Sequence, residues 1–183
     1  MNKVLLLIAV LLIVGLLGAG AYSWFKSETI TVTNQTGSLE LNILDAPEGR
    51  LPALYTCDGE DINPPLSWRG VPREAASLVL VVDDISAESG HFFHWLVWNI
   101  NPKDEGTRAG NLPMGANTGT GSTGRVGYVG PCPPSGDHQY VFKLLALDTT
   151  LTLPVSTTWQ ELEQSLTGHI ISETEARVKY ERP

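Results

Sequence analysis

The strongest constraint on the fold of this chain is a series of short apolar segments that follow one another without intervening helices. Leu39, Leu41 and Ile43 alternate with polar residues, which is typical of a strand with one buried face. Residues 77–82 form an apolar run that suits a fully buried strand. Further strand patterns occupy residues 94–100, 140–147 and 176–180. Loops rich in proline and glycine separate these segments, so we predict an all-β sandwich with long functional loops.

One segment has the pattern of a helix. Thr158 and Glu161 have the spacing of a capping box, in which each residue satisfies a backbone or side-chain group of the other. Trp159, Leu162 and Leu166 then recur at the spacing of one helical face. We therefore expect one or two short helices beside the strands.

The beginning of the sequence has a different character. Residues 4–21 contain no charged side chain, and aromatic residues and Lys26 follow this run. The length of the run and its aromatic border favour an uncleaved membrane anchor. The small residues at 19–21 leave a cleaved signal peptide as the alternative. Either reading places the domain outside the cytoplasm, anchored in the membrane on the periplasmic or extracellular side, or secreted after cleavage.

These patterns divide the chain into three parts. Residues 1–26 are the signal anchor or signal peptide, and residues 39–183 are the folded domain. Residues 27–38 between them are polar, with Ile30 and Val32 alternating, and form a linker or an edge strand.

The charge of the chain excludes one class of partner. The formal net charge is -8, and lysine and arginine do not cluster. A protein that binds nucleic acid needs a basic surface, so we exclude nucleic acid as a partner. The glycines at 119, 121 and 124 match a nucleotide-binding pattern only superficially, because no helix follows them. A local anion pocket remains compatible with the acidic charge.

The two cysteines are Cys57 and Cys132. In an exported domain an even number of cysteines permits one disulfide bond. We favour this bridge over the alternative of two separate buried thiols.

Two histidines stand where strands begin. His94 opens one predicted strand, and His138 precedes another, directly after the proline-rich turn at 130–136. This turn holds the backbone rigidly and offers backbone donors near Gly130. Asp83 and Asp84 are neighbours whose side chains should point to opposite faces of a strand, which excludes a cooperating pair of carboxylates.

Five segments of the sequence together resemble the phosphatidylethanolamine-binding protein family, and within it the bacterial branch labelled Raf-kinase-inhibitor-like. The resemblance covers about residues 39–182. The segments are YTCDG at 55–59, NPPLSW at 63–68, VVDD at 81–84, HWLVWN at 94–99 and GYVGPCPP at 127–134.

The resemblance implies an all-β sandwich of the Greek-key type, with a pocket at one end that binds phosphate-like groups. The ligand-binding residues carried over from the family are Asp84, Phe92, His94, Gly130, Pro131, His138 and Tyr140. The sequence departs from the family at Ile85 and Ser86, where the family has a proline and a second acid, and at Gln139, where it has an arginine. These departures affect which ligand the pocket would prefer.

We therefore expect non-catalytic binding of an anionic small molecule, with phospholipid head groups among the candidates and no cofactor or metal. Protonated His94 and His138 would attract the anion, so binding should tighten toward about pH 6. The first alternative is a protein-interaction module, such as an inhibitor of an envelope protease, that uses the pocket rim and the loop at 102–124. The second is a metal-dependent hydrolase built on His94, His138 and Asp84.

Overall fold

The computed structural model describes residues 38–183, so the predicted anchor at 1–26 and nearly all of the predicted linker at 27–38 lie outside the described residues. No helix in the described part is long and apolar enough to cross a bilayer. The described elements are β1 (Glu40–Ile43), β2 (Leu66–Arg69), β3 (Ser77–Asp84), β4 (Phe92–Ile100), β5 (Gly106–Thr107), β6 (Asn117–Thr118), β7 (His138–Leu147), α1 (Trp159–Leu166) and β8 (Ile170–Tyr180). Short 3-10 turns span Pro47–Gly49 and Ala53–Tyr55.

The strands form two antiparallel sheets. One sheet has the order β1-β2-β5, and the other has the order β6-β4-β3-β7-β8. The main core contains Leu41 and Trp68 from the first sheet and Leu80 and Phe142 from the second. The two sheets therefore face each other across one apolar layer, and the prediction of a mostly β fold with a short helix is confirmed.

The five-stranded sheet is also covered on its outer face. Val81 and Trp98 point away from the main core and pack with Leu162 and Leu166 of α1 in a second apolar cluster. Strand β3 lies at the centre of this sheet and is buried on both faces, which explains its continuous apolar sequence. The predicted capping box is present in α1, where the backbone N–H of Thr158 donates to the Glu161 carboxylate at 2.8 Å.

Three strands were not predicted from the sequence. Strand β2 lies between β1 and β5, and the two-residue strands β5 and β6 lie inside a segment that looks like a loop. Strand β8 also begins at Ile170, six positions before the predicted start at 176. Short or polar strands like these form because they pair with a neighbouring strand. The local sequence pattern does not show this pairing, so it does not predict them.

The predicted disulfide bond between Cys57 and Cys132 is confirmed, with the two Cα atoms 5.4 Å apart. The backbone N–H of Cys57 also donates to the carbonyl of Pro131 at 3.1 Å. A third tie runs from the Tyr128 hydroxyl to the carbonyl of Tyr55 at 2.8 Å. The segment 128–132 is thus fastened to the segment 55–57 at three points.

Candidate functional site

The register of the sheet brings the predicted site residues together. Strand β3 is antiparallel to both neighbours, with Asp84 opposite Phe92 on β4 and opposite Tyr140 on β7. Side chains alternate along a strand, so His94 and His138 share the face of the sheet that carries Asp84. Residues far apart in the sequence therefore meet at one end of the sandwich.

A cavity of about 450 Å³ opens at this end. Five of the seven predicted ligand-binding residues line it: Asp84, Phe92, His94, Gly130 and His138. The lining residues that were not among the predicted ligand-binding residues are Ala87, Glu88, Ser89, Thr123, Val129, Cys132, Pro133 and Pro134. Most of these come from loops, where neither periodicity nor charge marks a residue as part of a site.

His138 is oriented by Asp84. The Nδ1 atom of His138 lies 2.7 Å from Oδ2 of Asp84. The other carboxylate oxygen accepts the backbone N–H of Ser86 at 2.8 Å. An ionised carboxylate can only accept, so Nδ1 of His138 carries a proton. Nε2 of His138 makes no hydrogen bond within residues 38–183 and is free to meet a ligand.

His94 is oriented by a backbone carbonyl. Its Nδ1 atom donates to the carbonyl oxygen of Val129 at 2.6 Å, because that oxygen can only accept. Only 3% of His94 is exposed, and this burial lowers its pKa, although the carbonyl and the nearby Asp84 oppose the shift. Burial thus works against the expected protonation of His94 and favours its neutral form, in which Nε2 carries a lone pair.

Tyr140 and Pro131 do not line the cavity. Tyr140 is fully buried, and its ring packs against both imidazoles, with centroids 5.4 Å from His94 and 6.4 Å from His138. Its hydroxyl makes no hydrogen bond in the described structure, and burial together with the nearby Asp84 carboxylate raises its pKa. Tyr140 thus supports the two rings. The carbonyl oxygen of Pro131 accepts the backbone N–H of Cys57.

Gly130 lines the cavity but does not offer the backbone donor that the sequence led us to expect. Its N–H donates to Oδ1 of Asp61. A Cβ atom at this position would lie 2.7 Å from both the Cα of Thr56 and the carbonyl oxygen of Tyr55. Only glycine fits here, so its contribution is to allow the close approach of two backbone segments.

Asp83 faces the other side of the sheet, as predicted. Its carboxylate lies 2.6 Å from Nδ1 of His91. Both residues line a separate cavity of about 360 Å³ beside α1. In the described part of the chain, no group of three or more His, Cys, Asp or Glu side chains is placed to hold a metal ion.

The cavity at Asp84 has an unusual charge balance for an anion site. Its lining includes the carboxylates of Asp84 and Glu88 and no lysine or arginine. Within this lining, only an imidazole can offer positive charge to a ligand. His138 is the one suited to this task, because its Nδ1 proton already points at a carboxylate that offsets a positive ring.

Comparison with known proteins identifies the family. The sequence profile described as phosphatidylethanolamine-binding protein matches residues 44–181. A UPF0098 protein of Methanothermobacter thermautotrophicus is 46% identical over 139 residues, covering 73% of this chain and 92% of that protein. The lipoprotein-named LppC of Mycobacterium tuberculosis is 37% identical over 147 residues, covering 77% of this chain and 73% of that protein.

A solved structure supports the same family assignment. The crystal structure of a phosphatidylethanolamine-binding protein homologue from Chlamydia trachomatis superposes with a TM-score of 0.76 at 37% sequence identity. The match covers 80% of this chain and 99% of that chain. The fold is thus a β-sandwich with a ligand-sized cavity at one end. The chain belongs to the phosphatidylethanolamine-binding protein family.

Proposed function

We propose that this domain binds phosphate-like anionic small molecules without chemically changing them, with phospholipid head groups among the candidates. The observation that carries the proposal is the meeting of the Asp84–His138 pair and the free Nε2 of His94 in one cavity. A protonated His138 would donate from Nε2 to the anion, while Asp84 offsets the charge on the ring. Phe92 and Gly130 complete the wall around this point.

The absence of an activated nucleophile among the described lining residues supports binding over catalysis. Ser89 is the one serine in the lining, and its hydroxyl donates to the carbonyl of His91 at 2.9 Å, not to an imidazole. The Cys132 sulfur is held in the disulfide bond. The Thr123 hydroxyl accepts the backbone N–H of Arg125 at 3.3 Å. Covalent catalysis needs a nucleophile with a base within hydrogen-bond reach, and none of these three side chains bonds to a base in the described structure.

We place the domain outside the cytoplasm. In this proposal residues 1–26 are the anchor or signal peptide, residues 27–38 the linker or edge strand, and residues 39–183 the binding domain. The disulfide bond supports an oxidising compartment. The name of the mycobacterial relative, a lipoprotein, points in the same direction.

Calorimetric titration of inorganic phosphate into the purified full-length chain tests the proposed function. We expect saturable binding that is stronger at about pH 6 than at about pH 7.5, as for an anion held by a donating imidazole. His138→Ala should abolish the binding. His169→Ala is the matched control, because His169 pairs with Asp148 at 2.8 Å on the exposed surface, away from the cavity.

The two variants separate the interpretations. Binding lost in His138→Ala and kept in His169→Ala supports the proposal. Equal binding by both variants would show that phosphate meets the protein somewhere other than the cavity.

A further inference from the structure

A hydrogen-bonded chain leads from a carboxylate outside the cavity lining to the ring of His94. Oδ1 of Asp61 accepts the backbone N–H of Gly130 at 2.5 Å. The carbonyl of Val129 accepts Nδ1–H of His94 at 2.6 Å. This N–H and this carbonyl belong to the same peptide group. The order is therefore carboxylate, peptide, imidazole.

In this arrangement the charge of the carboxylate acts on the imidazole through the peptide group. A negative charge on the N–H side of a peptide polarises the group and makes its carbonyl oxygen a stronger acceptor. A stronger acceptor at Val129 favours the form of His94 that carries its proton on Nδ1. The hydrogen bond made by one ring nitrogen decides the state of the other, so Nε2 presents a lone pair to the cavity.

The local structure around Asp61 is built for this contact. Asp61 has a backbone φ of 55°, in the left-handed region that few residues other than glycine adopt. The guanidinium of Arg125 lies 3.6 Å from its second carboxylate oxygen. A Cβ atom on residue 130 would lie 2.8 Å from Oδ1 of Asp61, so a glycine is required for the carboxylate to reach the peptide.

We infer that Asp61 is a positioning residue that acts on His94 through the Val129–Gly130 peptide group, and that it makes the cavity select ligands that donate a hydrogen bond to Nε2 of His94. This inference rests on the proposed function and names its ligand class. The suitable anion keeps one proton, as a phosphate monoester monoanion or inorganic phosphate does. Such a group donates its P–OH to His94 and accepts from protonated His138.

Sulfate provides the discriminating probe, because it resembles phosphate in shape but carries no proton near neutral pH. A polar group left unpaired in a buried site costs more than a hydrogen bond gains. We expect the full-length chain to bind phosphate at least about tenfold more tightly than sulfate at about pH 6.5. Equal affinity for the two anions would overturn the inference and leave the proposed function standing.

Asp61→Asn tests the positioning role, because asparagine keeps an acceptor for Gly130 and removes the charge. We expect the ratio of phosphate to sulfate affinity to fall several-fold in this variant. Asp58→Asn is the control from the same loop, since the Asp58 carboxylate bonds instead to Tyr180 and Arg182. The ratio should stay at the wild-type value in the control, and an equal fall in both variants would overturn the positioning role.

A measurement without ligand separates failure of this inference from failure of the proposed function. Nitrogen-15 chemical shifts of the His94 ring in the wild-type chain report which nitrogen carries the proton. Protonated Nδ1 and bare Nε2 support the inference, and a proton on Nε2 overturns it. This measurement needs no variant, so a proton on Nε2 overturns the inference even if Asp61→Asn does not fold. The expected ring state together with no binding of either anion would instead overturn the proposed function.

Discussion

The carboxylate of Asp84 lies 2.7 Å from Nδ1 of His138, although the two residues are 54 positions apart in the sequence. Besides His91 with Asp83 at the separate cavity, the described structure contains a second pair of this chemistry at the exposed surface, His169 with Asp148 at 2.8 Å. The side chains of the first pair are 13% and 7% exposed, and those of the second are 46% and 50% exposed. Charge interactions strengthen as water is excluded, so under the proposed function the Asp84–His138 pair is better placed than the His169–Asp148 pair to hold an anion.

Replacing Asp84 by asparagine should weaken phosphate binding about tenfold, because an amide cannot offset the charge of an imidazolium as a carboxylate does. Calorimetric titration at about pH 6 checks this. Asp148→Asn makes the same change in the exposed pair and should bind as the wild type does. An unchanged affinity in Asp84→Asn would show that this carboxylate does not support the site.

The stability of the fold should depend on pH through His94. Burial lowers the pKa of His94 in the folded state, whereas an unfolded histidine has a pKa of about 6.5. The unfolded chain therefore binds more protons, and His94 makes the free energy of unfolding decrease as the pH falls below about 6.5. This loss stops once the pH is below the folded pKa.

Denaturant unfolding of the wild type and of His94→Gln at several pH values measures this effect. The difference between the two slopes against pH isolates His94 from the other titrating groups. Parallel slopes would mean that His94 titrates equally in the folded and unfolded states.

Loss of the disulfide bond should destabilise the domain. Cys57 and Cys132 are 75 positions apart, and closing a loop of this size stabilises a fold by about 4 kcal/mol in the chain-entropy description. The double variant Cys57→Ser/Cys132→Ser should unfold at a clearly lower denaturant concentration than the oxidised wild type. Reduced wild type should match the variant, and no difference between oxidised and reduced protein would contradict the expectation.

Gly130→Ala should cost about 1–3 kcal/mol of stability, because its new methyl group has no room beside Thr56 and Tyr55. Gly124→Ala is a useful comparison, since nothing lies within 4 Å of the added atom and only the left-handed backbone at φ +78° is strained. Thermal unfolding of both variants tests this. If Gly124→Ala lowers the unfolding temperature more than Gly130→Ala does, steric crowding is not the reason that position 130 requires glycine.

The sequence predicted the parts of the fold that depend on periodicity. Alternation placed β1 and the apolar run placed β3, and the rule that neighbouring side chains oppose each other correctly separated Asp83 from Asp84. The helix was predicted because its capping box and its apolar face are local patterns.

Features set by tertiary contacts were predicted less well. The protonation of His94 depends on how much of the fold covers it, and the N–H of Gly130 was expected to be free because nothing local connects it to Asp61. Glu88 and Ser89 entered the cavity lining through the loop between β3 and β4, which has no periodic pattern. The only sequence signal at Asp61 is an acidic residue close to a proline-bearing segment, and this signal does not indicate a contact with Gly130.

The central claim is that His138 and His94 hold one anion between them. A crystal structure of the protein grown or soaked with inorganic phosphate tests it most directly. We predict a phosphate in the cavity with one oxygen within about 3 Å of Nε2 of His138 and another within about 3 Å of Nε2 of His94. Phosphate bound elsewhere, with the cavity filled only by water at saturating concentration, would contradict the claim.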